Sequence, residues 1–428
     1  MKIKIKPGKV KGDVVAPPSK SYTHRALILG ALAQGETTIT NYLDADDTRY
    51  TTEALRILGT NIKVNGSTVK IEGRDGKFNV QPGHESIYVG NSGSTVRMVA
   101  PLAALTQGRV VFEGEPQLYQ RPVSDLLIAL KALGIKANSI NRDGFPPIEI
   151  YGGTLYGGEV VVSGMITSQH VSGLLMVAPY ARRNVRMKIS GELLSKPYVD
   201  VTIDAMRYFG GEVGNINYEH FVVTAGEKYL GRDYKIEGDY SSAAYFFAMG
   251  AIVKSPITVA GLNPRSVQGD RRFLDILIRM GCNVNYSKEG ITVSRQKPLV
   301  GTIQDMGDYP DIVQPLAVVA AFASGKTLIK NIGHLIYKET DRINNTAMEL
   351  RKIGVEVNVT ENTMLITGGN VKGGEVESHN DHRLVMSLAV AALFANGDTV
   401  INGAETASKS YPNFFRDLAK IGASFQEV

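Results

Sequence analysis

One pattern of polar and apolar residues recurs six times along the chain. A short stretch rich in Ser, Thr, Asn, Asp or Gly precedes a run of apolar residues that leaves almost no polar side on a helix. The polar stretches begin near Pro17, Gly90, Thr167, Gly238, Gly307 and His379. A helix without a polar face must be covered on every side, so the pattern predicts six buried helices that start at polar loops.

Each copy continues in the same order, with a turn, a strand, an amphipathic helix and two further strands. The turns lie at Gly35, Gly108, Arg183, Ser255, Gly325 and Gly397. They recur about every 70 to 75 residues, which marks an internal repeat. The amphipathic helices are predicted to stop near Gly59, Gly134, Gly210, Gly281, Gly354 and Gly422, because glycine is common just after a helix. Hairpins are predicted at residues 61–72, 283–294 and 356–367.

The six units predict an α/β protein of two domains. Each domain holds three strand-helix-strand-helix-strand-strand repeats, and the all-apolar helices favour an inside-out α/β barrel with buried parallel helices inside and sheets outside. The sixth unit runs out at Val428 without its last strand, while strand 2–6 has no unit of its own. Residues 1 to about 16 are therefore predicted to close the sixth unit. The predicted domains are 1–17 with 238–428, and 18–237.

Composition and charge narrow the classes of function. The chain has 428 residues, 47 basic and 42 acidic, and its net charge of +5 is not gathered in a basic run, which argues against a nucleic-acid partner. No apolar run is long enough to span a bilayer, and no signal peptide is apparent. The single cysteine, Cys282, excludes an internal disulfide and favours the cytoplasm. Small anionic ligands remain open.

The polar helix starts and their cations favour such ligands. If the buried helices of each half run parallel, three positive helix ends emerge on one face of each domain, and two such faces would form an anion-binding cleft. One capped helix or one surface arginine is ordinary. Here long cations recur at equivalent points of the repeat, namely Lys20, Arg25, Arg97, Arg121, Lys338, Arg342, Arg383 and Lys409. Arginine forks match carboxylates and phosphates.

Eight motifs together resemble the 5-enolpyruvylshikimate-3-phosphate synthase family. They are Pro-Pro-Ser-Lys-Ser…Arg from Pro17, Gly-Asn-Ser-Gly…Arg from Gly90, Gln-Arg-Pro from Gln120, Thr-Ser-Gln from Thr167, Gly-Asp…Pro-Asp from Gly307, Lys-Glu-Thr-Asp-Arg from Lys338, Asn-Asp-His-Arg from Asn380 and Ser-Lys-Ser-Tyr-Pro from Ser408. The resemblance covers essentially the whole chain. It implies a shikimate-pathway transferase that moves the carboxyvinyl group of phosphoenolpyruvate onto the 5-hydroxyl of shikimate 3-phosphate in an interdomain cleft. It also implies paired inside-out threefold domains.

The family pattern implies a site residue by residue, with no cofactor and no metal. Around the phosphate of phosphoenolpyruvate it places Lys20, Arg121, Gln169, Lys409 and the backbone of Gly93, and at its carboxylate Arg342 and Arg383. For shikimate 3-phosphate it implies Ser21 and Arg25 at the carboxylate, Ser168 and Ser195 at the 3-phosphate, Lys338 at a ring oxygen and Tyr198 against the ring, with Lys20, Thr167, Gln169, Asp311 and His334 nearby. Asn91, Ser94 and Arg97 line the rest of the cleft.

The implied chemistry requires two groups that handle protons. An enol phosphate becomes attackable at C2 when its methylene is protonated, while a base takes the proton of the attacking hydroxyl. The resemblance implies Asp311 and Glu339 as the two proton-transfer carboxylates. Asp311, at the start of a buried helix, is the candidate for the hydroxyl, and Glu339, between Lys338 and Arg342, is the candidate for the methylene, with Lys20 as a candidate partner. Neighbouring cations are expected to keep both carboxylates ionised until the substrates arrive. The alternative is that Asp311 only caps its helix and that Glu339 only pairs with Arg342.

The chain departs from the family pattern at four positions, none of which removes a charge. Ser94 stands where Thr is usual, Thr167 where Ser is usual, His334 where Asn is common, and Met98 where many members have Pro. Because Ser94 and Met98 lie on the loop behind the predicted phosphoenolpyruvate pocket, sensitivity to glyphosate, the family's inhibitor, does not follow from the sequence. The chain is expected to be a monomer.

Other interpretations are weaker. Residues 325–327, Gly-Lys-Thr, follow a helix and have Ala320 where a phosphate-binding loop needs its first glycine. His379, Asp381 and His382 are neighbours on one turn and cannot all face one metal ion, so helix capping by Asp381 is favoured. The related transferase acting on UDP-N-acetylglucosamine usually carries a cysteine in its first half, which is absent here. A non-catalytic anion- or RNA-binding protein would need the cations but not two converging carboxylates.

Overall fold

The computed structural model describes residues 1–80 and 83–428. In these two ranges the chain forms twelve α-helices: α1 (Lys20–Leu32), α2 (Asp46–Ile57), α3 (Gly93–Val99), α4 (Ser124–Ala132), α5 (Ser168–Val177), α6 (Lys196–Tyr208), α7 (Tyr240–Ile252), α8 (Arg272–Arg279), α9 (Val313–Ala321), α10 (Arg342–Lys352), α11 (His382–Phe394) and α12 (Phe414–Lys420).

The same ranges hold 24 strands: β1 (Lys2–Lys6), β2 (Gly12–Val15), β3 (Glu36–Thr40), β4 (Asn61–Asn65), β5 (Thr68–Glu72), β6 (Ser86–Tyr88), β7 (Gly108–Glu113), β8 (Lys136–Ser139), β9 (Ile148–Gly152), β10 (Gly158–Ser163), β11 (Val185–Ser190), β12 (Gly214–Ile216), β13 (His220–Val223), β14 (Asp233–Lys235), β15 (Ile257–Ala260), β16 (Cys282–Tyr286), β17 (Ile291–Arg295), β18 (Ile303–Asp305), β19 (Lys326–Lys330), β20 (Glu356–Val359), β21 (Thr363–Thr367), β22 (Glu375–Glu377), β23 (Thr399–Asn402) and β24 (Ser424–Glu427).

These strands form mixed, four-stranded sheets with one common plan. The strand orders are β14-β3-β5-β4, β6-β7-β9-β8, β10-β11-β13-β12, β2-β15-β17-β16, β18-β19-β21-β20 and β22-β23-β1-β24. In each sheet the first pair is parallel and the remaining pairs are antiparallel. The hairpins predicted at residues 61–72, 283–294 and 356–367 are confirmed as β4-β5, β16-β17 and β20-β21.

The chain divides into two compact units. The continuous unit is Pro18–Ile236, and the discontinuous unit is Met1–Pro17 together with Glu237–Val428. Each unit has its own hydrophobic core. Three sheets and helices α1 to α6 belong to the continuous unit, and three sheets and helices α7 to α12 belong to the discontinuous unit.

The six predicted buried helices are confirmed as α1, α3, α5, α7, α9 and α11. Every residue of α7 is buried, and in α11 only the last residue is not. The second helix of each unit buries one face, as α8 does with Phe273, Leu274, Ile276 and Leu277. The glycines predicted at the ends of these second helices have positive φ, for example 91° at Gly59 and 103° at Gly281, which is the helix-stop conformation that glycine adopts without strain. No helix within residues 1–80 and 83–428 is long and apolar enough to cross a membrane.

The prediction that residues 1 to about 16 close the sixth unit is partly wrong. Strand β1 does complete that unit, between β23 and β24. Strand β2, however, pairs in parallel with β15 of the fourth unit, with Val14 opposite Val259. Strand β14 correspondingly pairs with β3 of the first unit. Each of these short strands precedes the buried helix of one unit and completes the sheet of another, because backbone ladder bonds do not depend on which helix follows in sequence.

Candidate active site

In the continuous unit, buried polar contacts join the starts of α1, α2 and α3. Lys20 donates from Nζ to Asp47 Oδ2 at 2.9 Å. One turn further along both helices, His24 Nδ1 lies 2.7 Å from Thr51 Oγ1. Thr51 Oγ1 in turn lies 2.8 Å from Thr95 Oγ1 on α3. Residues four apart share a helix face, which is why α1 meets α2 at two successive points.

The direction of these hydrogen bonds follows from the number of protons. Thr95 donates its one hydroxyl proton to the Asp47 carbonyl at 3.2 Å, so it accepts from Ser92 and Thr51, both at 2.8 Å. Thr51 has then used its own proton and accepts from His24 Nδ1. Burial lowers the pKa of His24 to about 3, so the ring is neutral. We call His24, Thr51, Thr95 and Ser92 the hydroxyl seam.

The start of α3 is shaped around Arg121. The Arg121 guanidinium donates from Nη1 to the carbonyl of Asn91 at 3.1 Å. A Cβ atom at Gly93 would lie 2.3 Å from Cζ of Arg121, so only glycine allows this approach. Asn91 and Arg121 are both buried. The structure therefore brings together the predicted phosphate-binding backbone at Gly93 and the predicted cation Arg121.

Gln169 joins the starts of α3 and α5. Its amide Nε2 donates to Ser94 Oγ at 2.9 Å, and its Oε1 accepts from Arg97 Nη1 at 3.2 Å. Arg97 also donates from Nη2 to the Pro122 carbonyl at 3.0 Å. Thr167 caps α5 by accepting from the backbone N–H of Gln169 at 3.2 Å. Four of the predicted site residues thus form one connected group.

Arg25 is buried, and its contacts are with the protein itself. It donates from Nε to Thr202 Oγ1 at 2.7 Å, from Nη1 to the Ser21 carbonyl at 2.8 Å and from Nη2 to the Tyr198 carbonyl at 2.8 Å. Burial lowers the pKa of Arg25 to about 10, which leaves it charged at neutral pH. Arg25 therefore fastens α1 to the first turn of α6.

Ser195 has two features that are typical of a ligand-binding position. It precedes α6 with φ of 59°, a left-handed conformation that is costly for a residue with a side chain. Its buried Oγ has no hydrogen-bond partner among the described residues. Buried hydroxyls without a partner are rare and call for an explanation, such as a bound ligand. Ser168, also buried, begins α5.

In the discontinuous unit, Arg342 is surrounded by carboxylates. It donates from Nε to Asp381 at 2.6 Å, from Nη2 to Glu339 at 2.6 Å and from Nη1 to Asp311 at 3.0 Å. Only 1% of the Arg342 side chain is exposed. Burial opposes its charge, but Asp381, Glu339 and Asp311 together raise the pKa of the guanidinium above its ordinary value.

Arg383 shares one of these carboxylates. It donates from Nη2 to Asp311 Oδ2 at 2.7 Å, so Asp311 lies between the two arginines. Asp381 caps α11 by accepting from the Arg383 backbone N–H at 2.8 Å, as the sequence indicated. The residue that precedes α9 is Ile312, and the Asp311 carboxylate contacts both arginines. We call Arg342, Arg383, Asp311, Glu339 and Asp381 the arginine cluster.

His334, Lys338 and Lys409 lie in the same unit. His334 is buried, and burial together with Lys338 lowers its pKa to about 3, so its ring is neutral. Neither ring nitrogen of His334 has a hydrogen-bond partner within residues 1–80 and 83–428. Lys338 directly follows the 3₁₀ helix Gly333–Tyr337, and the buried Lys409 ends another, Ala404–Lys409.

Two buried acids were missed by the sequence analysis. Asp270, near α8, accepts a short hydrogen bond from Ser241 Oγ, and burial together with Asp311 raises its pKa to about 7. Asp47 pairs with Lys20. Both acids lie at starts of second helices, where the sequence analysis had singled out mainly cations, and Glu339 as the one acid. Because Asp47 and Asp270 occupy similar positions in the repeat, an alignment of the repeats could have indicated both acids.

Two further observations concern possible metal ligands and the surface cavities. The described residues contain no group of three His, Cys, Asp or Glu side chains placed to hold a metal ion. Two surface cavities of about 620 and 650 Å³ meet at Ile128 on α4, and no predicted site residue lines either of them.

Comparison with known proteins identifies relatives along the whole chain. The family model described as EPSP synthase (3-phosphoshikimate 1-carboxyvinyltransferase) matches residues 5–418. The chain is 45% identical over 411 residues to the 3-phosphoshikimate 1-carboxyvinyltransferase of Methanoculleus marisnigri, covering 96% of this chain and 97% of the relative. For the protein of the same name from Shewanella sp. the identity is 39% over 416 residues, covering 96% and 97%. A solved EPSP synthase structure from Acinetobacter baumannii has a TM-score of 0.81 at 27% identity and covers 100% of both chains.

Proposed function

Because this chain belongs to the EPSP synthase (3-phosphoshikimate 1-carboxyvinyltransferase) family, we infer that it is a transferase acting on phosphoenolpyruvate and shikimate 3-phosphate. It transfers the enolpyruvyl group of the first to the 5-hydroxyl of the second and releases phosphate. The reaction belongs to the shikimate pathway of aromatic amino acid biosynthesis.

The observation that carries our proposed site is the arginine cluster. Two buried arginines share Asp311, and Glu339 lies against one of them at 2.6 Å. Phosphoenolpyruvate has a carboxylate that suits an arginine fork and a methylene that must be protonated. We assign the carboxylate of phosphoenolpyruvate to Arg342 and Arg383, and the proton transfers to Asp311 and Glu339.

Without substrate, the two arginines are neutralised by the protein's own carboxylates. Asp311 contacts Arg342 at 3.0 Å and Arg383 at 2.7 Å. In our proposal the carboxylate of phosphoenolpyruvate replaces Asp311 on both arginines. The exchange keeps both buried arginines paired with a carboxylate, because an unpaired buried ion is costly. It also releases Asp311 to act as a base, so that the base becomes available only after phosphoenolpyruvate binds.

The chemistry then proceeds by addition and elimination. Glu339 takes up a proton from solvent once the substrates have bound and gives it to the methylene carbon, while Asp311 takes the proton of the 5-hydroxyl as its oxygen attacks C2. The resulting adduct carries a methyl group. Phosphate leaves with the proton from Asp311, and Glu339 recovers a proton from the methyl group, which restores the double bond. We assign Lys20 to the departing phosphate.

The remaining assignments extend to both units. We assign the phosphate of phosphoenolpyruvate to Lys20, Arg121, Gln169, Lys409 and the backbone of Gly93, and shikimate 3-phosphate to Lys20, Ser21, Arg25, Thr167, Ser168, Gln169, Ser195, Tyr198, Asp311, His334 and Lys338. The buried Ser195 hydroxyl and His334 ring support this, because within the described ranges they have no hydrogen-bond partner that a ligand would have to displace. Asn91, Ser94 and Arg97 support the loop that carries Gly93.

We also propose that each unit is an inside-out α/β barrel and that the enzyme works as a cytoplasmic monomer without a nucleic-acid partner. The helices buried on all sides support the first proposal. The single cysteine and the mild net charge of +5 support the second.

Turnover in heavy water tests the proposed function and mechanism. The protein should release phosphate only when both substrates are present, whereas a non-catalytic RNA-binding protein would release none. Because the methyl group of the adduct rotates, elimination can remove a different hydrogen from the one added, so deuterium should enter the vinyl group of the product. Glu339→Gln should slow this incorporation more than it weakens binding of either substrate. A product without deuterium after many turnovers would rule out addition followed by elimination.

A further inference from the structure

Glu349 is a fully buried carboxylate two turns after Arg342 on α10. Its side chain is 0% exposed. It accepts a hydrogen bond from the backbone N–H of Glu377 at 2.9 Å, and it lies 2.7 Å from His379 Nε2 and 2.9 Å from Lys352 Nζ. Two of these partners, Glu377 and His379, belong to the segment 377–381 that connects β22 to α11. Glu349 therefore fastens α10 to that segment.

Segment 377–381 has an unfavourable backbone conformation. His379 has φ of 50° and Asn380 has φ of 57°, so two consecutive residues with side chains are left-handed. This conformation is uncommon for such residues and persists when surrounding contacts hold it in place. Glu349 contacts Glu377, which lies two residues before the left-handed pair His379 and Asn380, and it contacts His379 itself. The next residue is Asp381, which caps α11 and contacts Arg342.

Helix α10 is thus joined to the segment at two points. At its first turn Arg342 contacts Asp381, and seven residues later Glu349 contacts His379. With a rise of 1.5 Å per residue, these points are about 10 Å apart along the helix. Backbone hydrogen bonds also hold the segment, from Ser378 N–H to the Asn402 carbonyl at 3.0 Å and from Asp381 N–H to the Ser378 carbonyl at 2.9 Å. Glu349 adds the side-chain contacts that fix the left-handed residues against α10, and the orientation of Asp381, and of Arg383 two residues after it, is therefore expected to depend on Glu349.

We propose that Glu349 is a positioning residue for the reaction, which acts through His379 and the left-handed segment to hold Asp381 and Arg383 against Arg342. This inference rests on the proposed function, because it takes Arg342 and Arg383 to bind the carboxylate of phosphoenolpyruvate. Disturbing Glu349 should then impair recognition of phosphoenolpyruvate and leave recognition of shikimate 3-phosphate largely intact.

Three variants test this proposal through the KM of each substrate. Glu349→Gln keeps the side-chain size but removes the charge. His379→Asn tolerates a positive φ but is too short to reach Glu349. Either variant should raise the KM for phosphoenolpyruvate about tenfold, which corresponds to one lost charge-assisted hydrogen bond. The KM for shikimate 3-phosphate should change less than about twofold. Lys352→Met is the matched control, since it removes the partner of Glu349 that lies outside the segment, and it should change neither KM.

The possible outcomes separate this inference from the proposed function on which it rests. Arg383→Lys is the reference, because lysine keeps the charge but loses the fork, and it should raise the KM for phosphoenolpyruvate selectively. If it does so while Glu349→Gln and His379→Asn change neither KM, the inference fails and the proposed function stands. Equal effects of Arg383→Lys on both substrates would overturn both. An effect of Lys352→Met as large as that of Glu349→Gln would show a merely structural role. If thermal unfolding shows that Glu349→Gln does not fold, His379→Asn carries the test.

Discussion

In both units a residue near the start of a second helix connects the starts of two buried helices, but this residue is an acid in the continuous unit and an arginine in the discontinuous unit. In the continuous unit Asp47, near the start of α2, lies between Lys20 on α1 and Thr95 on α3. In the discontinuous unit Arg342, at the start of α10, lies between Asp311 before α9 and Asp381 before α11. In both units the second helix of a repeat contacts the starts of the buried helices before and after it.

The hydroxyl seam, which lies beside the Asp47 bridge, and the arginine cluster differ in the partners that they need for stability. The hydroxyl seam is neutral and needs only hydrogen-bond partners, which its own members supply. The arginine cluster holds two cations and three carboxylates, and a buried charge that loses its partner is strongly destabilising. The arginine cluster and the Lys20–Asp47 ion pair can each exchange a partner with an anionic substrate, whereas the hydroxyl seam cannot. The repeat therefore determines where a second helix contacts the starts of the buried helices. The residues at that contact determine whether it only stabilises the fold or also binds a substrate.

Removing Arg342, the central cation of the arginine cluster, should have the largest effect on the free energy of unfolding and on activity. Arg342→Met leaves Asp311, Glu339 and Asp381 without their shared partner, so unfolding in urea should show a loss of about 3–5 kcal/mol. Turnover should be abolished. In the other unit Asp47→Asn leaves a neutral acceptor for Lys20 and removes one ion pair, whereas Arg342→Met removes three, so the loss in Asp47→Asn should be smaller. A stability loss in Arg342→Met no larger than that in Asp47→Asn would contradict the difference between the two bridges.

The pH dependence of stability should also differ in sign between the units. An unfolded aspartate titrates near 3.8, whereas burial, Asp311 and Asp239 raise the pKa of Asp270 to about 7 against the opposing effects of Arg383 and Ser241. Between about pH 4 and 7 the folded protein therefore holds a proton that the unfolded chain has lost, and stability falls as the pH rises. Asp270→Asn should flatten this decline by a few kcal/mol in urea unfolding measured from pH 4 to 8.

His24 provides the contrast for that experiment. Its pKa falls from 6.5 to about 3 on burial, so below about pH 6.5 the unfolded chain binds a proton that the folded protein does not, and stability falls as the pH decreases. Over the shared range from about pH 4 to 6.5, His24→Asn should therefore make stability fall more steeply, or rise less, with increasing pH, whereas Asp270→Asn should change the slope in the opposite direction. A change of slope of the same sign in both variants would show that one of the two assignments is wrong.

The smallest effect is expected from the hydroxyl seam. Thr51→Val removes the acceptor of His24 Nδ1 and a donor to Thr95, which should cost about 1–3 kcal/mol in urea unfolding. Thr37→Val is the matched control, because Thr37 is equally buried and its hydroxyl has no hydrogen-bond partner in the part of the chain that the structure describes. The control should be neutral or stabilising. Equal losses in the two variants would show that the seam contributes only packing.

Much of the fold follows from local patterns. Helices such as α7 and α11 are apolar on every side, and the glycines after the second helices have the φ values that helix stops need. These features depend on residues a few positions apart, so hydropathy and turn chemistry suffice to predict them. The motifs likewise indicate the family from the sequence alone, because the residues of each motif lie close together in the chain.

The parts that required the tertiary structure are contacts between distant residues. Strands β2 and β14 complete sheets of units to which their sequence neighbours do not belong. Asp311 and Arg383 are 72 residues apart, and Glu349 and His379 are 30 apart. A hydrogen bond or an ion pair depends on the distance and orientation of two groups in space. The local periodicity of the sequence does not specify either of these. The helix pattern therefore predicts where the polar residues emerge, and only the packing of the helices determines which charge faces which.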